Sequence, residues 1–530
     1  MHLSLASSRL GLVAGGTMIK GILAALVTAL CLAGTRAMAA EPVWQAAETA
    51  HFIVYSTSGQ AEIDRLATDL ETYDMLMRMA TGIHEDQPSV KVRIYQVQGM
   101  SDVQRALGLD DDSGIAGFYD SNGLGPFLVT PRKTGYEGED FGPGLVMHHE
   151  YAHHFMLQYF PASYPGWYVE GFAELIGSSK TMPDGRIGYG MPAKHRGHDI
   201  AAYWVPLQEL MTKDKVWGLD TYAQGWALTH FLTFDKTRAA ELRQYLLALK
   251  SGAPLDQAAK AFGDLAVLNQ DARKYITSGG FDYKPVKVTI ALPVIQRMRP
   301  VAPGEAALIP EVIAFRDDDL NAYKKTGARD REHKLRDADL RRIREKAATY
   351  ATDPFALSFL AEAEFAAGNY AQSESAADRL LAVDPNSVRG LARKSIDVAL
   401  QASGLSGAEK ATRIAEARGL AVRANKLDPN EALPLIAYFQ SFRAAGEQPP
   451  AVAIEGLMQA ASTLPRDTRT LTMLVDELAA EHRWAEAIGW LSPLANALDD
   501  SPLRDSIREK LQHLRDEYAK ANGGAPAAKG

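Results

Sequence analysis

The stretch Val146-Met147-His148-His149-Glu150-Tyr151-Ala152-His153-His154-Phe155 decides how the first half of the chain is read. His149 and His153 stand four apart, so on a helix they lie one turn apart on one face, where both imidazoles can reach a single ion. Glu150 sits beside the first histidine, where a general base can take a proton from water without itself binding a metal. His148 and His154 fall on other helix faces and read as ordinary core or surface histidines. A His-Glu-x-x-His string arises by chance in about 2% of chains this long. By itself it assigns nothing.

The segment Pro165-Gly166-Trp167-Tyr168-Val169-Glu170-Gly171-Phe172-Ala173-Glu174, which follows the short break Pro161 to Pro165, supplies the missing part. Catalytic zinc takes three protein ligands and leaves one position open. Glu170, at the start of a second helix, offers the third ligand. Glu174, one turn further along the same face, can accept the outer N–H of a ligating imidazole. The expectation is one Zn2+ ion held by His149, His153 and Glu170, with Glu150 as base.

A His-Glu-x-x-His helix followed by Trp-x-x-Glu-Gly-x-Ala-Glu resembles the gluzincin metallopeptidases, particularly the aminopeptidase N-like branch and the small peptidase MA-like domains. The resemblance covers roughly residues 45 to 280. It implies an α+β thermolysin-like zincin domain with His149, His153 and Glu170 as zinc ligands, Glu150 as catalytic base and Glu174 behind the ligands. Tyr222-Ala223-Gln224-Gly225-Trp226-Ala227-Leu228-Thr229-His230-Phe231-Leu232 also resembles the peptidase MA-like pattern. That likeness implies Tyr222, with His230 and Tyr168 in reserve, as the donor to a developing oxyanion. Phe127, Leu128 and Val129 precede the zinc helix as the edge strand does in this fold class, so an extended peptide is expected to pair with them through its backbone. Sixteen residues separate His153 from Glu170, slightly fewer than is usual in the aminopeptidase branch, and the chain has no Gly-Ala-Met-Glu-Asn segment. The resemblance therefore does not extend to aminopeptidase activity.

Around this centre the 530 residues divide into several units. A net charge of -8 gives no electrostatic reason for a nucleic-acid partner. Residues 1–39 read as a signal peptide: an apolar run from Gly21 to Gly34 flanked by Lys20 and Arg36, then Ala37-Met38-Ala39, with cleavage before Ala40. The expected location is the periplasm or the exterior, with no stable membrane span once the signal is removed. Cys31, the single cysteine, lies in that segment, so the mature chain has no disulfide. Strand-like Phe52–Ser56 and Val90–Val97, a helix over Ala61–Met79, and Ile115–Tyr119 and Phe127–Thr130 around an Asp120-to-Gly123 turn precede a helical stretch to about Tyr275. The metallopeptidase-like domain is expected over 40–284, followed by a linker and charged helix over 285–345.

From 346 to 520 the chain reads as an all-α array of two to four tetratricopeptide-like repeats, and 521–530 as a disordered tail. Asp-Pro recurs at 353–354, 384–385 and 428–429, with Leu464-Pro465 as a further boundary. Gly368 and Tyr370 fit a helix-turn-helix in which glycine admits close helix approach and the aromatic fills the gap. The whole reads as an exported zinc metallopeptidase acting on peptide or protein substrates, with a possible protein partner on the repeats. A partner-binding scaffold with a structural or inactive zinc domain is the second reading, and a zinc hydrolase of a non-protein amide the third.

Overall fold

The computed structural model describes residues 43–84, 90–109, 114–135, 141–213, 220–316, 326–497 and 502–523. The signal segment 1–39 and residues 524–530 of the expected tail lie outside them. Six short stretches pair into one mixed sheet: β1 (Gln45–Glu48), β2 (Phe52–Ser56), β3 (Val92–Gly99), β4 (Phe118–Asn122), β5 (Gly125–Lys133) and β6 (Arg297–Pro300), in the order β4-β5-β3-β2-β1-β6. β2–β3 and β3–β5 are parallel, bridged by the crossover helices α1 (Gln60–Thr81) and α2 (Met100–Ala106); the other pairs are antiparallel. Side chains alternate between the two faces of the sheet. Phe52, Val54, Ile94 and Leu128 join a core with the helix α3 (Pro143–Tyr159). Tyr55, Tyr95, Phe127 and Val129 join a second core on the other face.

That second core corrects the reading of 285–345 as a linker and solvated helix. Helix α6 (Pro303–Ala314) buries Leu308, Ile309, Val312 and Ile313 against the sheet, and α7 (Thr326–Thr349) adds Leu340, Ile343 and Ala347. The segment also supplies edge strand β6, whose Pro300 suits an edge because proline cannot donate to a ladder. The charged composition of α7 hid a narrow apolar stripe that one helix face needs to cover a sheet.

The edge-strand expectation is also corrected. Phe127, Leu128 and Val129 lie in β5, which pairs with β3 on one side and β4 on the other, and all three are buried. A run of consecutive apolar residues marks a strand covered on both faces. The free edge on this side of the sheet is β4.

Beyond α7 the chain forms four helix pairs: α8 (Pro354–Ala366) with α9 (Tyr370–Val383), α10 (Val388–Ala402) with α11 (Gly407–Leu427), α12 (Ala432–Ala445) with α13 (Ala451–Thr463), and α14 (Thr468–Ala480) with α15 (Trp484–Leu491). A last helix, α16 (Pro502–Ala521), follows. The Asp-Pro boundaries fall between pairs for a physical reason. Asp353 caps α8 through Ala356 N and Pro354 opens it, while Asp384 and Asp428 accept hydrogen bonds from Asn386 and Asn430 in the turns between pairs. Gly368 serves its turn by a left-handed φ of 79°, and a Cβ there would meet nothing within 4 Å, so close helix approach is not its role.

Close helix approach is needed elsewhere. Helix α4 (Gly166–Gly177) crosses α5 (Asp220–Phe234) at Gly171 and Gly225. A Cβ on Gly171 would lie 2.3 Å from Gly225 O and from Thr229 Oγ1, and one on Gly225 would lie 2.6 Å from Trp167 O. Backbone atoms cannot give way as a flexible side chain can. Gly171→Ala is expected to destabilise the fold by about 1–3 kcal/mol, while Gly166→Ala, with open space around its Cβ, stays within about 1 kcal/mol of the parent. Thermal unfolding of the two variants checks this; equal melting temperatures would contradict the close crossing.

Candidate metal centre

Helix α3 begins at Gly142–Pro143, where proline's fixed φ suits the first turn and its missing N–H costs nothing. Helix α1 lies beneath it. Asp74 accepts from Tyr151 OH (2.6 Å) and from Arg78 Nε (2.6 Å), and His148 sits 2.8 Å from Asp69 while stacking on Tyr73. His154, also buried, contacts Tyr119 OH at 3.1 Å, and burial pushes its pKa down to about 3. Both flanking histidines thus fix the helix in place, and the face carrying His149 and His153 turns towards α4. The chain reverses between the two helices, and Pro165 sets the start of α4.

The two helices bring three donor atoms together. His149 Nε2 lies 3.1 Å from His153 Nε2 and 3.3 Å from Glu170 Oε2, and His153 Nε2 lies 3.5 Å from Glu170 Oε2. A tetrahedral ion with bonds of about 2.0–2.1 Å holds its ligands about 3.3–3.4 Å apart. The three separations bracket that value. Glu170 Oε2 is buried and accepts no hydrogen bond, as suits an oxygen whose partner is a cation. Burial opposes the charge on Glu170, yet His153 and His149 hold its carboxyl well below the usual carboxylate range. Burial likewise opposes a cationic His149, but Glu170, Glu174 and Glu150 push its pKa up to about 9. The centre is therefore a pocket of negative potential that calls for a cation.

Glu174 stands behind His149, His153 and Glu170, buried to 1% exposure. Its Oε1 is 3.6 Å from His149 Nδ1 and accepts from Arg196 Nη2 (2.6 Å) and Nε (3.2 Å); its Oε2 lies 2.9 Å from His195 Nε2. Burial raises its pKa, but His195, His149 and Arg196 outweigh that and bring it to about 2. His195 and Arg196 escaped the sequence reading. The only signal was a basic triplet, Lys194-His195-Arg196, with no motif spacing. Tyr222 reaches the centre: its ring lies parallel to that of His149 at 6.0 Å, with the Arg196 guanidinium 5.1 Å from its centroid.

The reserves do not reach it. His230 is fully buried between Gly190 O (2.7 Å) and Tyr275 OH (2.9 Å), and Tyr168 packs among Tyr164, Trp167 and Phe172. Gly117, just before β4, runs against Glu150. A Cβ there would meet Val146 Cγ1 at 2.5 Å and Glu150 Cγ at 3.2 Å. A recess of about 20 Å³ beside His153 is lined by Leu157, Tyr164, Val169 and, from the segment after α15, Pro493. A second cluster, His51, Glu71 and Asp74, also draws ligand atoms together, but the Asp74 oxygens are already engaged by Tyr151 and Arg78.

No family model matches the sequence, and no curated protein matches it. Among solved structures the chain is similar to a thermophilic TPR protein of Thermus thermophilus, at 18% identity over 37% of this chain and 97% of that one (TM-score 0.30). It is also similar to pilF of Pseudomonas aeruginosa, at 14% identity over 38% and 84% (TM-score 0.26), and to yeast Tom70, at 11% over 69% and 68% (TM-score 0.23). At these scores the likeness carries no argument about this chain, and the four helix pairs stand on the structure itself.

Removing a ligand should abolish divalent-cation binding, whereas removing a group behind the ligands should only weaken it. In competition titrations against a chelator, His153→Ala is expected to lose specific zinc binding, and Glu174→Ala to lose about 10–100-fold in affinity. Unchanged affinity in Glu174→Ala would remove it from the metal's surroundings.

Proposed function

We propose that this protein is a zinc-dependent metallopeptidase of the gluzincin type, with a thermolysin-like zincin domain carrying a TPR-like helical array. The observation that carries the reading is the convergence of His149 Nε2, His153 Nε2 and Glu170 Oε2 at the mutual spacing of tetrahedral ligands, with Glu150 next to the first of them. Zinc bound there would acidify a water and polarise a carbonyl. Glu150 takes the proton from the attacking water and returns it to the leaving amine. Glu174, anchored by His195 and Arg196, stands 3.6 Å from His149 Nδ1 and would orient that ring so that its Nε2 could hold the ion with His153 and Glu170. Tyr222, held between His149 and Arg196, donates to the oxyanion.

An extended substrate would lie along the chain entering β4, where Ile115 is exposed and the backbone that follows passes Glu150, whereas Phe127–Val129 is paired on both sides. The second reading, a partner-binding scaffold, draws on the four helix pairs. A scaffold that merely held zinc would need the three ligands but not Glu150.

Glu150→Gln separates the two. It is expected to keep zinc at parental stoichiometry and to lower hydrolysis of an unfolded protein substrate by about 10²–10⁴-fold. Equal turnover by the parent and Glu150→Gln would contradict the mechanism, and zinc-loaded parent that cleaves no unfolded protein would favour the scaffold.

A further inference from the structure

β4 has no strand beyond it, yet its outer side is not open. The turn that joins it to β5 is the two-residue Gly123–Leu124, so Asn122 and Gly125 form the first bonded pair and bonding alternates from there. Asn122, Asp120 and Phe118 turn their N–H and C=O groups to β5, while Ser121 and Tyr119 turn theirs outward. Both outward residues are already engaged. Tyr119 O accepts from Arg466 Nη1 at 2.8 Å, and Ser121 N donates to the Asp120 carboxylate at 2.8 Å. Ser121 and Asn122 are only 5% and 2% exposed, as in an inner strand. The helix pairs supply the cover: Arg466 lies between α13 and α14, and Arg389 of α10 donates to Gly123 O.

A covered edge also guards against stray pairing. What matters for a substrate is where the cover sits. β4 and α3 run side by side: Gly117 packs against Val146 and Glu150, and two residues on, Tyr119 OH lies 3.1 Å from His154. Two strand residues and one helical turn each advance about 6–7 Å, so the two elements keep step. Arg466 therefore stands one helical turn past Glu150.

The array meets the opposite wall along the same half of α3. Pro493 borders the recess beside His153, with Leu157 and Val169, and the helical turn Leu494–Ala497 that follows packs against α4. In the other direction Gly114 and Ile115 are exposed. Among the described residues, the groove beside the metal centre is closed at one end and open at the other.

We propose that the helix pairs wall off one end of the substrate groove, with Arg466 setting the limit, so that the groove receives the end of a peptide chain and one or two residues are removed at a time. This rests on the peptidase reading above. A bond cleaved beside Glu150 has Arg466 about two extended residues away, at about 3.4 Å per residue. Each turnover consumes one water and leaves a carboxyl end on one fragment and an amine on the other. A chain threaded through the groove would have to displace Arg466 from Tyr119 and part the array from the sheet.

Binding and product size test this separately. Zinc-loaded Glu150→Gln is titrated calorimetrically with a short linear peptide, and with the same sequence set, between flexible spacers, as a linker joining two folded domains. The peptide is expected to bind, and the linker to bind about tenfold more weakly or less. Mass spectrometry of the first products from the parent should show pieces of one or two residues, and the end they come from gives the direction of the bound chain. Arg466→Ala, folded as judged by circular dichroism, should release longer pieces, whereas Arg466→Lys, which keeps a donor, should not. Equal binding of peptide and linker, internal fragments as the parent's first products, or parental products from Arg466→Ala would overturn the proposal and leave the peptidase reading standing. Preference for the free peptide without any cleavage by the parent would remove the peptidase reading and keep the closed groove. Binding of neither probe would overturn the closed groove itself.

Discussion

Three electron-rich atoms, two imidazole nitrogens and a carboxylate oxygen, are held 3.1–3.5 Å apart at the meeting of α3 and α4. Two ring nitrogens facing each other at that distance leave room for one proton at most, and the Glu170 oxygen has no proton donor of its own. Such an arrangement is stable only with a cation among the three, whether a proton on a histidine or a metal ion. Much of the surrounding structure can be understood as the means of holding this cluster. Asp74 and Asp69 pin α3 from below, the glycine crossing of α4 and α5 fixes the second helix, and His195 with Arg196 anchors Glu174 behind the first ligand.

The helix pairs are joined to this centre rather than appended to it. The six-stranded sheet carries α3 on one face and α6, α7 and α8 on the other, so the same strands serve two cores. Arg466 and Arg389 reach back to the β4–β5 hairpin, and Pro493 borders the recess beside His153. The two glycines that flank β4 are both closely packed, Gly123 against Glu362 of α8 and Gly117 against Val146 and Glu150 of α3.

What could be read from the sequence follows from how local the governing interactions are. His149, His153, Glu170 and Glu174 were legible because spacing on a helix fixes which side chains share a face. The helix-pair boundaries were legible because Asp-Pro acts within four residues. The position of β5 was not: Phe127–Val129 precedes α3 in sequence, but the hairpin folds β4 to the outside, and only pairing across the sheet decides which strand is the edge. Likewise Arg297-Met298-Arg299-Pro300 is too short and too charged to mark a strand by itself, yet it pairs with β1 across the sheet. His195 and Arg196 were invisible since their role depends on Glu174, twenty-odd residues away, having an oxygen to satisfy.

The centre itself can be observed directly. Crystals of the zinc-soaked full chain, measured on both sides of the zinc absorption edge, should show one anomalous peak about 2.0–2.1 Å from His149 Nε2, His153 Nε2 and a Glu170 carboxylate oxygen. A peak elsewhere, or none at this point with zinc in excess, would contradict the account.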